Sequence, residues 1–412
     1  MIKKFLSSEL GKGTIILLIM MNLYNFLNFL FHFVMGRMLG PEGYGVLAAL
    51  MSLVYIYSIP SDAIQNLFSK YASKLNLEKT KGKLKFFLTR YLNKAIILGF
   101  AVFFFLFIIS FFISKYLGIN FWLIITTNII IISSFATPIV RGILQGRKKF
   151  NLFGVSLVIE AVLKIIFSIS LVFFGFKVFG AITGVVVGVV SGFIFSLFFN
   201  RGILKEKEKE FHPENFHLES IPYFISMGVI ILAFSIDILL AQRFFDSSIA
   251  GEYAVISMLG KMIFFGTVAI SKAMFPLTSE RHENKENSFD LFKKSLLLIL
   301  GLCLMIILIF WLFPEQIISL FYGKAYLNIS KLLFYSGISF SLLSISNLVL
   351  VYGLSTDRIK KPYLMIIPLV LGLGGLFYFN KTFNQYILGV LILNVIMFMG
   401  SIIVVFFKIK KH

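Results

Sequence analysis

Apolar stretches alternate with short polar gaps along almost the whole chain. They fall at roughly 14–36, 44–67, 93–114, 120–140, 154–175, 178–199, 222–243, 254–277, 293–313, 331–353, 363–379 and 384–407. Each is about 17–25 residues, enough at about 1.5 Å per residue to cross a hydrocarbon core of about 30 Å. The pattern therefore predicts an all-α polytopic membrane protein with about twelve transmembrane helices. Basic residues fall in every second gap. Of the 39 Lys and Arg, 30 lie in the two tails and the gaps on the same side as the N-terminus, and 7 lie on the other side (Arg37, Lys115, Lys177, Arg243, Lys324, Lys331, Lys381). Lys164 and Lys261 lie inside segments. The positive-inside bias then places both termini in the cytoplasm and the chain in the cell membrane.

The polar stretch 201–221 divides the spans six and six, which predicts an N-terminal lobe at 1–200, a cytoplasmic linker at 201–221 and a C-terminal lobe at 222–412. Both lobes start on the same side, so they are expected to be parallel repeats. A trace of the repeat survives. Arg37 and Arg243 end the first span of each lobe, and Gly43-Tyr44 and Gly251-Glu252-Tyr253 open the next. The outer gaps are short, the longest at roughly 314–330, and none has room for a folded domain. The basic inner stretch 68–92 carries Leu and Phe among its lysines. It reads either as an amphipathic helix on the inner leaflet or as a solvated loop. No small-residue cleavage pattern follows the first apolar run, so segment 1 is expected to be an uncleaved anchor.

Composition changes the picture in one respect. A formal net charge of +20 would suggest nucleic acid in a soluble protein. Here the charge forms a cytoplasmic collar facing anionic lipid headgroups, and no nucleic-acid partner is expected. Hydrophobic residues at 58%, with 50 Phe, exceed what a soluble core of this length uses. The single cysteine, Cys303, allows no internal disulfide and no cysteine metal cluster.

Charges at mid-membrane cost about 2.5–3.5 kcal/mol each on insertion scales and usually face a bundle interior or a wet cavity. Segment 5 carries Ser156, Glu160, Lys164 and Ser168 at four-residue spacing, one face of a helix. Glu160 precedes Lys164 at the favoured i,i+4 order, so the two read either as an ion pair that lowers insertion cost or as part of a cavity wall. Segment 1 carries Asn22, Asn25, Asn28 and His32 on one face, for interhelical bonding or for contact with a polar ligand. His32 alone reads as a packed histidine or as a proton relay. Asp237 on segment 7 and Lys261 on segment 8 come to similar depth, either as a buried pair or as a cation site beside an anion-attracting base. Asp62, at the inner end of segment 2, and Arg141, at the end of segment 4, sit at headgroup depth, where solvated or snorkelling side chains are the alternative to a site.

The chain has no GxxxxGK[ST] phosphate loop, no HExxH and no Cys/His cluster. No outer loop is large enough to assemble a catalytic pair of acids, so the chain is not expected to be an enzyme.

Three runs resemble a known family. Gly36-Arg37-Met38-Leu39-Gly40-Pro41-Glu42-Gly43-Tyr44-Gly45 resembles the GRxLGPExYG signature of the polysaccharide transporter family. Arg141-Gly142-Ile143-Leu144-Gln145-Gly146, leading to Phe150, resembles its RGxLQGxxxF loop. Ile236-Asp237-Ile238-Leu239-Leu240 with Ala250-Gly251-Glu252-Tyr253 resembles its IDxxLL…xGxY stretch. These are flippases for lipid-linked oligosaccharides within the multidrug/oligosaccharidyl-lipid/polysaccharide exporter superfamily.

The resemblance implies two lobes around a central cavity, alternating access, and a polyprenyl-(pyro)phosphate carrier bearing a short sugar chain. In that setting Arg37, Lys164, Lys261 and Arg141 are the candidate phosphate partners. Glu160, Asp237 and Asp62 are the candidate acids for a coupling H⁺ or Na⁺. Asn22, Asn25, Asn28 and His32 are the candidate sugar-contacting face. No resident cofactor or metal is expected, and the protein is expected to act as a monomer among membrane lipids and other polysaccharide-assembly proteins. Three alternatives stay open: a cation-coupled multidrug exporter of the same superfamily, a membrane polysaccharide polymerase or ligase, and a non-transporting assembly scaffold.

Overall fold

A computed structural model describes residues 9–75, 80–211 and 221–407. Lys3, Lys4, Lys79, Lys408, Lys410 and Lys411 of the charge pattern, and residues 212–220 of the expected linker, lie outside the described residues. Every regular element among the described residues is helical. In hydrocarbon each backbone N–H and C=O needs an internal partner, which a helix supplies within its own segment. Nine helical runs are long and apolar enough to cross a membrane among the described residues, with a shorter apolar run at Pro362–Tyr378. Two of the nine, Ile19–Lys74 with 56 residues and Phe150–Phe199 with 50, are long enough for two crossings each. The twelve apolar segments are thus accounted for. The chain folds as two compact units, one of residues 1–39 and 53–220, the other of 40–52 and 221–412.

In the first unit, α1 (Glu9–Tyr57) runs on past the unit boundary and is interrupted at Gly40, where φ is 67° and ψ −178°. A side chain there would be strained, and Pro41 then restarts the helix at a position that tolerates its missing N–H. The sequence places a polar gap between the first two spans, and the chain makes only a one-residue break there. After Ser58 comes α2 (Ile59–Lys74), then α3 (Lys81–Leu117), α4 (Phe121–Asn128), α5 (Ile130–Gly146), α6 (Phe150–Leu171), α7 (Lys177–Phe199) and the single turn α8 (Arg201–Leu204). Between α6 and α7, a π-turn at Val172–Phe176 holds Gly175 at φ 91°.

The described parts of the basic stretch 68–92 are helical, as the end of α2 and the start of α3, rather than a solvated loop, and their apolar face packs on the protein itself. Phe68, Ala72, Leu84, Phe87 and Leu88 are buried together with Ile139, Val140 and Ile143 of α5. The Phe68 and Phe87 rings stack 4.7 Å apart. The lysines that read as a lipid-facing polar set, such as Lys70 and Lys74, remain exposed on the outer face.

The first half of the expected linker is docked rather than free. Residues 205–211 run extended along α3, with Lys209 N–H donating to Gly82 O (3.1 Å), Lys85 Nζ to Glu206 O (2.8 Å) and Thr89 Oγ1 to a Glu208 carboxylate oxygen (3.1 Å). Phe211 closes the strap against the rings of Tyr71 and Phe87.

The second unit contains α9 (Ile221–Phe244), α10 (Ser247–Glu283), α11 (Phe289–Leu312), α12 (Pro314–Phe321), α13 (Leu333–Ser355), α14 (Ile366–Tyr378) and α15 (Phe383–Phe406). The longest outer gap is ordered as α12 and a 3₁₀ segment, Lys324–Leu332, with Ile318, Tyr322, Tyr326 and Ile329 buried. Residues 40–52 belong to this unit. A Cβ on Gly45 would lie 2.8 Å from Gly251 N, and one on Gly251 would lie 3.0 Å from Gly45 N. Only two glycines allow backbones to approach so closely. Tyr44 Oη lies 3.2 Å from Tyr322 Oη beside this crossing. The two glycine–tyrosine runs that trace the internal repeat therefore lie side by side.

Candidate functional site

Buried charge gathers in one cluster in each unit. In the first unit α6 carries Ser156, Glu160, Lys164 and Ser168, all buried. This face is covered by a ridge of small residues on α7. Gly184 lies against Ser168, Gly188 against Lys164 and the Glu160 backbone, and Gly192 against the Glu160 and Arg141 side chains. Gly180, Gly184, Gly188, Gly192 and Ser196 repeat every fourth residue, the spacing that lets two membrane helices approach closely. That spacing was available in the sequence, and it marks the partner of the α6 stripe.

The i,i+4 expectation for Glu160 and Lys164 is corrected by the neighbouring helix. Glu160 Oε2 accepts from Arg141 Nη2 at 2.7 Å, and its Oε1 accepts from Tyr24 Oη at 3.1 Å. A guanidinium arriving from α5 presents a directed donor fork that an ammonium on the same helix does not match. Arg141 also donates from Nε to Ser156 Oγ (3.3 Å) and from Nη2 to Ser156 O (3.2 Å). It is buried at 8% exposure and so does not snorkel to solvent. Lys164 instead donates to Asn28 Oδ1, and its Nζ stands 4.4 Å from the centre of the Phe31 ring. Asn28 in turn donates to Tyr24 O at 2.8 Å. Tyr24, with no place in the sequence reading, is thus the hinge of a network from α1 through α6 to α5.

The asparagine face of α1 splits. Asn28 is committed to Lys164 and Tyr24. His32 is buried, with Tyr55 Oη 3.5 Å from Nε2 and the Phe31 ring edge-on at 5.3 Å. Asn25 is half-buried with no side-chain hydrogen bond among the described residues, and Asn22 is exposed. Arg37, also exposed, stands nine residues beyond Asn28 on α1, about 13 Å along the helix. A single phosphate at Lys164 does not reach it in this conformation. Asp62 is exposed in the first turn of α2.

The second cluster is sealed. Asp237 on α9 and Lys261 on α10 form an ion pair at 2.9 Å, and both side chains have 0% exposure. The other carboxylate oxygen accepts from Tyr253 Oη (2.8 Å) and Ser257 Oγ (2.6 Å). Tyr253, Ser257 and Lys261 share one face of α10 at four-residue spacing. Tyr386 on α15 donates to the Asp237 backbone carbonyl. The Phe234 and Phe340 rings lie 4.8 and 5.4 Å from Lys261 Nζ. Of the two sequence readings, this geometry is the buried pair. No three His, Cys, Asp or Glu side chains converge as a metal site among the described residues.

The profile of a family described as polysaccharide biosynthesis protein matches residues 10–282. No curated protein sequence matches the chain. Solved structures share the fold. An inward-facing multidrug resistance MATE family transporter of the MOP superfamily aligns with a TM-score of 0.73 over 92% of this chain and 92% of its own, at 15% identity. The lipid II flippase MurJ in an inward closed conformation aligns with a TM-score of 0.71 over 94% and 87%, at 16% identity. An outward-facing MATE transporter aligns at 0.64 over 96% and 94%, at 17% identity. The chain therefore has the two-lobe, all-helical fold of these membrane transporters.

Proposed function

The chain belongs to the polysaccharide biosynthesis protein family, and from that premise we propose that it is a flippase that carries polyprenyl-(pyro)phosphate-linked oligosaccharide from the inner to the outer leaflet for surface polysaccharide assembly. The observation that carries this reading is the surplus of base in the first cluster. Arg141 and Lys164 stand against Glu160 alone, all three buried between helices, where unbalanced charge is costly and marks a functional site. A phosphate supplies the missing negative charge. Asn22 and Asn25, exposed and half-buried on the helix that bears Asn28, suit sugar hydroxyls. The lipid tail stays in the bilayer.

In this reading the protein works as a monomer in the cell membrane, with both ends cytoplasmic. It draws on an H⁺ or Na⁺ gradient and hands its cargo to other polysaccharide-assembly proteins without altering it chemically. Export of cationic drugs is less well supported, because both buried acids are already held by bases, Glu160 by Arg141 and Asp237 by Lys261.

The test is translocation of a radiolabelled lipid-linked oligosaccharide in proteoliposomes, with and without a pH or Na⁺ gradient. Movement of this lipid but not of a cationic dye is expected, and the effective gradient identifies the coupling ion. Dye efflux without movement of the glycolipid would assign the protein to drug export.

A further inference from the structure

The two buried ion pairs differ in their access. Asp237 and Lys261 have 0% side-chain exposure, whereas Arg141 and Glu160 keep 10% and 12%. Arg141 is also incompletely used. Its Nε and Nη2 are bonded, while Nη1 has no hydrogen-bond partner among the described residues. Lys164 is close by, one turn along α6 from Glu160, and its Nζ contacts an amide and a phenyl ring rather than a carboxylate. One acid thus serves two bases, and it bonds to the one whose fork is partly open.

We propose that Glu160 is a resident stand-in for the phosphate of the substrate, holding Arg141 while the site is empty and releasing it to act beside Lys164 when a phosphate arrives. The proposal rests on the flippase reading and adds a positioning role for one residue within it. A carboxylate and a phosphate offer guanidinium the same pair of acceptor oxygens. An empty site without Glu160 would leave two bare cations among membrane helices, a costly state for a protein that must return unloaded. The Nη1 group gives an incoming phosphate a first contact before the Glu160 bond is exchanged.

The chemistry fixes a sign. Glu160 bonds to Tyr24 from α1 and Arg141 from α5, Lys164 lies one turn along its own helix, and Gly188 and Gly192 of α7 pack against it. Neutralising Glu160 would free Arg141 and remove the negative charge beside Lys164, and so favours phosphate binding. Exchange of a proton for substrate needs the opposite sign. Glu160 is therefore a competitor of the substrate and not the exchange site of an antiporter.

The experiment measures binding of undecaprenyl diphosphate to the purified full-length chain in detergent near neutral pH, comparing wild type with Glu160→Gln and Glu160→Asp. Glu160→Gln is expected to bind at least about tenfold more tightly, the low end of couplings between desolvated charges. Glu160→Asp keeps the charge and should bind as wild type does, which separates loss of the charge from loss of packing. Equal or weaker binding by Glu160→Gln, or equally tightened binding by Glu160→Asp, would overturn the stand-in role while leaving the flippase reading intact. If none of the three proteins binds the diphosphate, the flippase reading itself falls and takes this inference with it.

Discussion

The contrast between Lys164 and Lys261 shows how little a buried lysine says until its partner is known. Lys261 neutralises Asp237 inside a shell with no exposure, so removing either partner strands a charge. Asp237→Asn is expected to cost about 3–5 kcal/mol, and Asp237→Asn combined with Lys261→Met should recover most of that loss. Thermal unfolding in detergent tests both, and additive losses in the double variant would show that the pair is not a unit. Lys164 holds no carboxylate, so Lys164→Met strands no charge, only the Asn28 Oδ1 acceptor, and should shift the unfolding midpoint less than Asp237→Asn does. It removes the base nearest the asparagine face, and we expect at least about a tenfold loss of glycolipid translocation in proteoliposomes, the low end for a charge-assisted contact. A large stability loss with normal transport would reverse these roles.

At the scale of helices, the α6–α7 pair explains what could and could not be read in advance. The α6 stripe was legible because side chains four apart share a face. Its covering surface was not read from hydropathy, since glycine is neither strongly apolar nor polar; the four-residue spacing of Gly180 to Gly192 carries that information instead. The partner of Glu160 was illegible for another reason. Spacing rules see only one helix, whereas Arg141 arrives from α5, and Tyr24 from α1. Asp237 and Lys261 could be matched by depth alone, because their helices are consecutive and joined by a short turn. The packing predicts that Gly188→Ala is destabilising. Its Cβ would sit 2.7 Å from both the Glu160 carbonyl and Lys164 Cβ, where backbone must move. We expect a cost of about 1–3 kcal/mol, read as a lowered unfolding midpoint. Gly374→Ala, at a helical position with nothing within 4 Å, should by comparison be neutral or slightly stabilising.

For the whole molecule, the alternation of basic and non-basic gaps makes a prediction that does not depend on any side-chain contact. If the positive-inside bias sets the topology, Lys207 in the strap along α3 and Lys381 between α14 and α15 lie on opposite sides of the membrane. Both are exposed in the structure. Cys303 is the single cysteine and is buried, so a Cys303→Ser background carries no competing thiol. In intact cells a membrane-impermeant maleimide should label Lys381→Cys and leave Lys207→Cys unlabelled until the cells are opened. Positions 207 and 381 are separated by spans 7 to 11, an odd number, so same-side labelling would mean that one of the five does not cross. The short run Pro362–Tyr378 is the one most at risk, at 17 residues against a core of about 30 Å. A cysteine at Lys360, on the other side of that run, then locates the fault. Protection of both Lys360→Cys and Lys381→Cys in intact cells would show that the short helix re-enters rather than spans. Protection of Lys360→Cys alongside labelling of Lys381→Cys would establish it as the eleventh crossing.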